Sequence, residues 1–270
     1  MTIPKNNCLI LGAGRSGTSL TALLLERAGY HVYSSTYPLD EGNPLGYFED
    51  LDVVVTNDAI LAPIYRSPWQ RFSRAVNRKP NLMGTGSWLL DIGPRRLGAI
   101  NLRPAHAAKF RQLFARIPFA YKDPRFSFTL RALAPVVPEN TSYICVFRHP
   151  LQVVESTRTH ASRSGVIVRD AYCFATWEAH YLCLLEHFRE LGGQWLFISY
   201  QQLIDGEAVS RIEEFLKIQL DRSLVKAQLN RAHAVGTLPG RVAKLFEKLK
   251  ELEDSVSVLT TSCSNRPDRL

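Results

Sequence analysis

The sequence predicts an α/β protein with a central parallel sheet of about four to five strands, flanked by helices in three layers. Short apolar runs with the character of buried strands alternate with longer segments of helical period. The first of these runs passes through a glycine-rich turn straight into a helix. That alternation is the pattern of a parallel sheet covered on both faces.

Taken in order, Cys8–Leu11 is the first strand and Gly12–Gly17 the turn. Leu20, Leu23 and Leu24 then recur at helical spacing, with Gly29 as the stop. Tyr30–Tyr33 is β-rich and is the candidate second strand. Ser34–Phe48 reads as a loop, and Glu49–Ile60 as a helix. Ala62–Pro104 has little periodicity and many breakers, among them Pro63, Pro68 and Pro80. We expect residues 62–104 to form an insertion or lid within one domain spanning residues 1–270. Pro104 opens a helix over Ala105–Arg116, and Phe119–Lys122 is a short strand. Ser127–Leu133 is helical, and Tyr143–Phe147 is the clearest buried strand, ending at Arg148-His149-Pro150. A helix follows over Leu151–Ser162, then a long aromatic-rich helix over Ala171–Leu191. Trp195–Ser199 is a buried strand, Glu207–Leu216 a helix and Val242–Leu252 an amphipathic helix. The polar tail from Ser255 is expected to fray.

The net charge of +8 favours an anionic ligand. The basic residues are scattered, with no arginine-rich arm, which argues against nucleic acid as the partner. No apolar run reaches the roughly 20 residues of a membrane span. The N-terminus Met-Thr-Ile-Pro-Lys-Asn-Asn carries no secretory core, so a cytoplasmic protein without an integral membrane segment is expected. The 5 cysteines are odd in number and contain no Cys-x-x-Cys pair. They read as free thiols in a reducing compartment.

Gly12-x-x-x-x-Gly17-Thr18-Ser19 has the spacing of a phosphate loop. Strand, glycine loop and helix N-terminus together present free amides and the positive end of a helix dipole to an anion. Thr18 stands where a Walker loop has lysine, and the cation is Arg15, inside the loop. The nearest imitation of a magnesium carboxylate is Asp91 in Trp88-Leu-Leu-Asp91, which reads as a turn aspartate before Gly93-Pro94. A P-loop kinase or NTPase is therefore the weaker alternative, and a non-catalytic nucleotide-binding module a third. Arg148 follows a buried strand, at the sheet edge where ligands of open α/β sheets bind. Its guanidinium suits bidentate phosphate contact, and Ser156, two helical turns on, adds a hydroxyl.

These segments resemble the sulfotransferase family that uses 3′-phosphoadenosine 5′-phosphosulfate (PAPS), bacterial carbohydrate and protein-tyrosine members in particular. Gly12-Ala-Gly-Arg-Ser-Gly-Thr-Ser19 resembles the family's 5′-phosphosulfate loop, and Arg148 to Ser156 its 3′-phosphate motif. Asn43-Pro-Leu-Gly-Tyr-Phe-Glu49, Lys122-Asp-Pro-Arg125 and Ser199-Tyr-Gln-Gln-Leu203 resemble three further family segments, with Gln201 replacing a glutamate. The matches run in family order from residue 9 to about residue 205. The resemblance implies a P-loop-type fold and PAPS as co-substrate, with no metal. It implies that Arg15, Ser16, Gly17, Thr18 and Ser19 hold the 5′-phosphosulfate, Arg148 and Ser156 the 3′-phosphate, and that Tyr200 supports the nucleotide. Arg15 and Lys122 would neutralise charge on the leaving group. A hydroxyl acceptor needs a base; Glu49 is the first choice, and His160, on the same helix face as Ser156, is the rival. The acceptor implied is a small-molecule, carbohydrate, lipid-linked or secondary-metabolite hydroxyl. Tyr65, Trp69 and Trp88 are candidates to line its pocket.

Overall fold

The computed structural model describes residues 6–36, 46–65, 100–163, 165, 167–225, 236–255 and 259–261. Strands β1 (Asn7–Leu11), β2 (Ala120–Lys122), β3 (Thr141–Phe147) and β4 (Gly193–Ser199) run parallel. β5 (Leu259–Thr261) pairs antiparallel with β4, and the sheet order is β2-β1-β3-β4-β5. In register, Leu9 lies between Tyr121 and Tyr143, and Cys145 is aligned with Phe197.

Successive strand side chains feed opposite faces. Leu9, Leu11, Tyr121, Cys145, Phe147, Trp195 and Phe197 pack into one core. That core is completed by α3 (Pro104–Phe114), α4 (Phe126–Leu133), α6 (Asp170–Leu191) and α9 (Gly240–Asp254). Cys8, Ile10, Ile144, Val146, Leu196 and Ile198 pack into the other, against α1 (Thr18–Arg27) and α8 (Glu207–Leu216). α2 (Leu51–Tyr65) and α5 (Pro150–Arg163) also contribute Val53 and Val153 to the first core. The three expected layers follow from this. Among the described residues, no helix is long and apolar enough to cross a membrane.

Four segments depart from expectation. Tyr30–Tyr33 is not a strand: His31 makes one parallel bridge to Phe119, through its N–H to the Pro118 carbonyl and its carbonyl to Ala120 N–H. The chain then peels away, because the Ser34 amide donates to Asp50 Oδ2 at 2.8 Å. The helix expected from Glu49 begins at Leu51, where Asp50 Oδ1 accepts from the amides of Asp52 and Val53 at 2.9 and 3.3 Å. That carboxylate is an N-cap, and α2 continues past Ile60 through Pro63. A short helix, α7 (Tyr200–Asp205), follows β4 directly, capped by Ser199 Oγ, which accepts from Gln202 N–H. Where the tail was expected to fray, β5 pairs with β4. Most of the 62–104 segment, residues 66–99, lies outside the described residues.

Two buried histidines join α6 to α4. The His180 ring packs on Phe128 at 4.6 Å between centroids, and His187 Nε2 lies 3.0 Å from the Ser127 carbonyl. Burial lowers His180 from 6.5 to about 3. Burial, only partly offset by the Ser127 carbonyl, lowers His187 to about 4. Both folded values lie below the unfolded one, so the unfolded chain binds the extra protons and stability falls as pH drops through 6.5. Between about pH 8 and pH 5 each histidine is expected to cost about 2 kcal/mol, and urea-unfolding free energies at the two pH values check it.

Candidate active site

β1 ends against β3. A Cβ on Gly12, whose φ is +145°, would lie 2.2 Å from the Val146 carbonyl oxygen, so only glycine lets the chain turn there. The loop continues through Arg15 at φ 68° and Gly17 at φ 99° into α1. No side chain caps α1, so its first-turn amides face the loop without a side-chain acceptor. The strand order reverses between β1 and β3, which puts the loop and Arg148 on either side of the switch-point crevice.

Tyr181 on α6 braces the loop from below. Its hydroxyl lies 2.9 Å from the Val146 carbonyl, 2.9 Å from Ser16 Oγ and 3.3 Å from Ala13 N. A phenol has one proton and the carbonyl can only accept, so Tyr181 donates to Val146 and accepts from Ser16 and Ala13. The Ser16 hydroxyl, fully buried, is thereby committed to the loop itself. Thr18 is also buried, close behind Gly12. Ser19 Oγ donates to the Tyr47 carbonyl at 3.2 Å and ties the loop to the segment before α2.

Arg15, Arg148, Ser156 and Tyr200 converge on one spot. Arg15 Nε donates to Ser156 Oγ at 3.0 Å. Arg148 Nη1 lies 3.5 Å from the Arg15 carbonyl, and its Nε donates to Gln152 Oε1 at 3.1 Å. Its guanidinium carbon sits 4.2 Å from the Tyr200 ring centroid, a cation–π contact. The Tyr200 ring in turn fills the space that a Gly17 side chain would need: a Cβ there would meet Cδ2 at 2.5 Å. Burial first, and then the Arg15 charge, push Arg148 below the usual guanidinium value. A buried cation, Arg148, beside a half-buried one, Arg15, forms a site that a polyanion would stabilise.

A second cluster lies at the end of β2. Lys122 Nζ donates to Glu49 Oε1 at 2.6 Å, with side chains 3% and 11% exposed. Glu49 is held before α2 by Phe48, a buried residue in the left-handed region at φ 54°, an uncommon conformation for a bulky side chain. Asp123, beside Lys122, accepts from Arg125 N and Nη1 at 2.9 and 3.0 Å and from Asn57 Nδ2 at 2.9 Å. Arg125 Nε also donates to Asp58 Oδ1 at 2.7 Å. Burial opposes the Arg125 charge, but Asp123, Asp58 and Glu49 outweigh it and raise the guanidinium above its usual value.

His160 lies one turn beyond Ser156 on α5, half-buried. Trp69, Trp88 and Asp91 lie outside the described residues, as do Asn43 and Pro44 of the segment before Glu49. The expectation missed Tyr181, Gln152, Asn57 and Arg125 as supports. Of these Arg125 and Gln152 had a signal, their places at the end of Lys122-Asp-Pro-Arg125 and inside the Arg148 to Ser156 segment.

A family model described as the sulfotransferase family matches residues 8–222. The chain belongs to the sulfotransferase family. The sulfotransferase match includes the loop, Glu49, Lys122, Arg148, Ser156 and Tyr200, and stops before α9 and β5. Among solved structures the chain is similar to the sulfotransferase domain of the Synechococcus PCC 7002 olefin synthase, at 17% identity and TM-score 0.48, covering 93% of this chain and 96% of that one. It is also similar to sulfotransferase STF1 from Mycobacterium tuberculosis H37Rv, at 16% identity and TM-score 0.42, covering 93% and 78%. Sulfotransferase STF9 from Mycobacterium avium matches at 13% identity and TM-score 0.41, covering 93% and 69%. No curated protein matches the sequence.

Tyr181→Phe would leave the Val146 carbonyl and the Ala13 amide without their partner. It is expected to cost about 1–3 kcal/mol of stability, measured by urea unfolding.

Proposed function

We propose that this sulfotransferase moves a sulfuryl group from PAPS to a hydroxyl of a small-molecule, carbohydrate, lipid-linked or secondary-metabolite acceptor, by in-line displacement. The buried Lys122–Glu49 pair, on the same sheet edge as the phosphate loop, is the observation that carries this reading. In it, Arg148 and Ser156 bind the 3′-phosphate, with Tyr200 supporting the nucleotide. The backbone amides from Ser16 to Ser19, with the hydroxyls of Thr18 and Ser19, hold the 5′-phosphosulfate.

Glu49 takes the proton of the acceptor hydroxyl. Lys122 occupies Oε1, which leaves Oε2 for that proton. The acceptor oxygen forms a bond to sulfur, the bridging sulfur–oxygen bond breaks, and its electron pair leaves on the nucleotide phosphate. Protonation cancels the Glu49 charge, so the Lys122 ammonium loses its partner as negative charge grows on the leaving oxygen. Base and electrophile are thus coupled through one ion pair. Arg15 supplies the second cation, from within the loop. Positioning and charge stabilisation carry the catalysis. The chain acts as one cytoplasmic domain in this reading.

Thermal unfolding with adenosine 3′,5′-bisphosphate, set against ATP with magnesium, tests the nucleotide. The expected outcome is a raised Tm with the bisphosphate in the absence of metal; a response to ATP–magnesium alone would favour a kinase or NTPase. Glu49→Gln is expected to lower kcat by about 10²–10⁴ while bisphosphate affinity stays within about twofold of wild type. A loss of nucleotide affinity equal to the loss of rate would remove Glu49 from the chemistry and turn attention to His160.

A further inference from the structure

Glu253 is a buried carboxylate that the transfer chemistry does not use. It sits in the last turn of α9, 7% exposed, beyond the segment that the family model matches. Its Oε1 accepts a hydrogen bond from the Ser199 backbone N–H, where β4 gives way to α7. The next residue is Tyr200, which is pressed against Gly17 and stacked under Arg148. The turn around Ser199 is closed by two further contacts: Ser199 Oγ accepts from Gln202 N–H at 3.2 Å, and Gln202 Oε1 accepts from Arg211 Nη1 at 2.9 Å. Burial pushes Arg211 below the usual guanidinium value, and the charges of Glu253 and Asp254 act against that shift.

The surrounding scaffold makes this contact stiff. Leu245 and Leu249 of α9 pack in the same core as Trp195 and Phe197 of β4, and β5 pairs with the outer edge of β4. The C-terminal unit therefore grips β4 by a face and an edge, and Glu253 holds the point at which the chain leaves the strand. A carboxylate there satisfies an amide that the sheet ends without pairing.

We infer that Glu253 is a positioning residue for the 3′-phosphate subsite, acting through Ser199 and Tyr200 on the Arg148 guanidinium. This rests on the nucleotide reading above. It assigns the C-terminal helix a part in nucleotide selection. Removing the carboxylate frees the Ser199 amide, loosens the first turn of α7, and lets Tyr200 shift from under Arg148. The 5′-phosphate, held by the loop and the α1 amides, is not touched by that change.

The discriminating measurement is the ratio of affinities for adenosine 3′,5′-bisphosphate and adenosine 5′-monophosphate, taken by calorimetry on the full chain. Glu253→Ala is expected to weaken the bisphosphate about tenfold and leave the monophosphate within about twofold. Glu253→Gln keeps a carbonyl acceptor for the Ser199 amide and is expected to restore most of the ratio. Glu253→Asp keeps the charge but is one methylene short; it is expected to follow the alanine variant and serves if that variant does not fold. Equal losses for both nucleotides, or an unchanged ratio in both the Ala and the Asp variants, would overturn the inference. A wild-type chain that does not prefer the bisphosphate would instead overturn the nucleotide reading, and the inference with it.

Discussion

The Val146 carbonyl is the point on which the shape of the glycine loop depends. It is approached by the Gly12 backbone more closely than any side chain would allow, and it receives the Tyr181 hydroxyl. One oxygen thus fixes the separation of β1 and β3 at their carboxyl ends and the height of α6 beneath them. Ser16 and Ala13 hang from the same hydroxyl, so the loop inherits its shape from this contact. Arg148, two residues after Val146, is aimed by the strand that the contact anchors.

Charge is handled differently on the two sides of that point. Around Lys122 the buried ions are paired: Glu49 answers Lys122, and Asp123 answers Arg125, which also reaches the more exposed Asp58. Buried pairs of this kind contribute little net stability, because desolvation consumes most of the attraction. Their value lies in fixing where a carboxylate and an ammonium stand. Around Arg148 the surroundings are mixed, with Arg15 as a like-charged neighbour, Glu155 as an opposite charge and an aromatic face beneath. One side sets two cations among three carboxylates. The other sets two guanidinium groups close to one another.

Much of this was legible in local pattern. The helix over Glu207–Leu216, the strand ending at Arg148, and the loop from Gly12 to Gly17 follow from period, glycine placement and apolar runs. These signals act over a few residues. What was not legible depends on partners far away in the chain. Tyr181 reads as one more aromatic on a helix until it meets Ser16, 165 residues earlier. Glu253 reads as a helix-end acid until the fold brings it to Ser199. Tyr30–Tyr33 has strand composition, yet Asp50 draws the backbone off the sheet after one bridge. The pairing of Glu49 with Lys122 depends on the same displacement, since Asp50 takes the cap and leaves Glu49 free of the helix.

The late position of β5 has a consequence for how the chain folds. β4 pairs with β3 on one side as soon as both are present, but its other side is completed only by β5, which lies beyond α9. Until then β4 presents unpaired backbone groups beside Trp195, an open template for a strand from any chain nearby. An intramolecular strand wins that competition by its high local concentration, provided that α9 has docked first and brought it alongside. A chain in which α9 has not docked is therefore open to exchanging β5 with a neighbour.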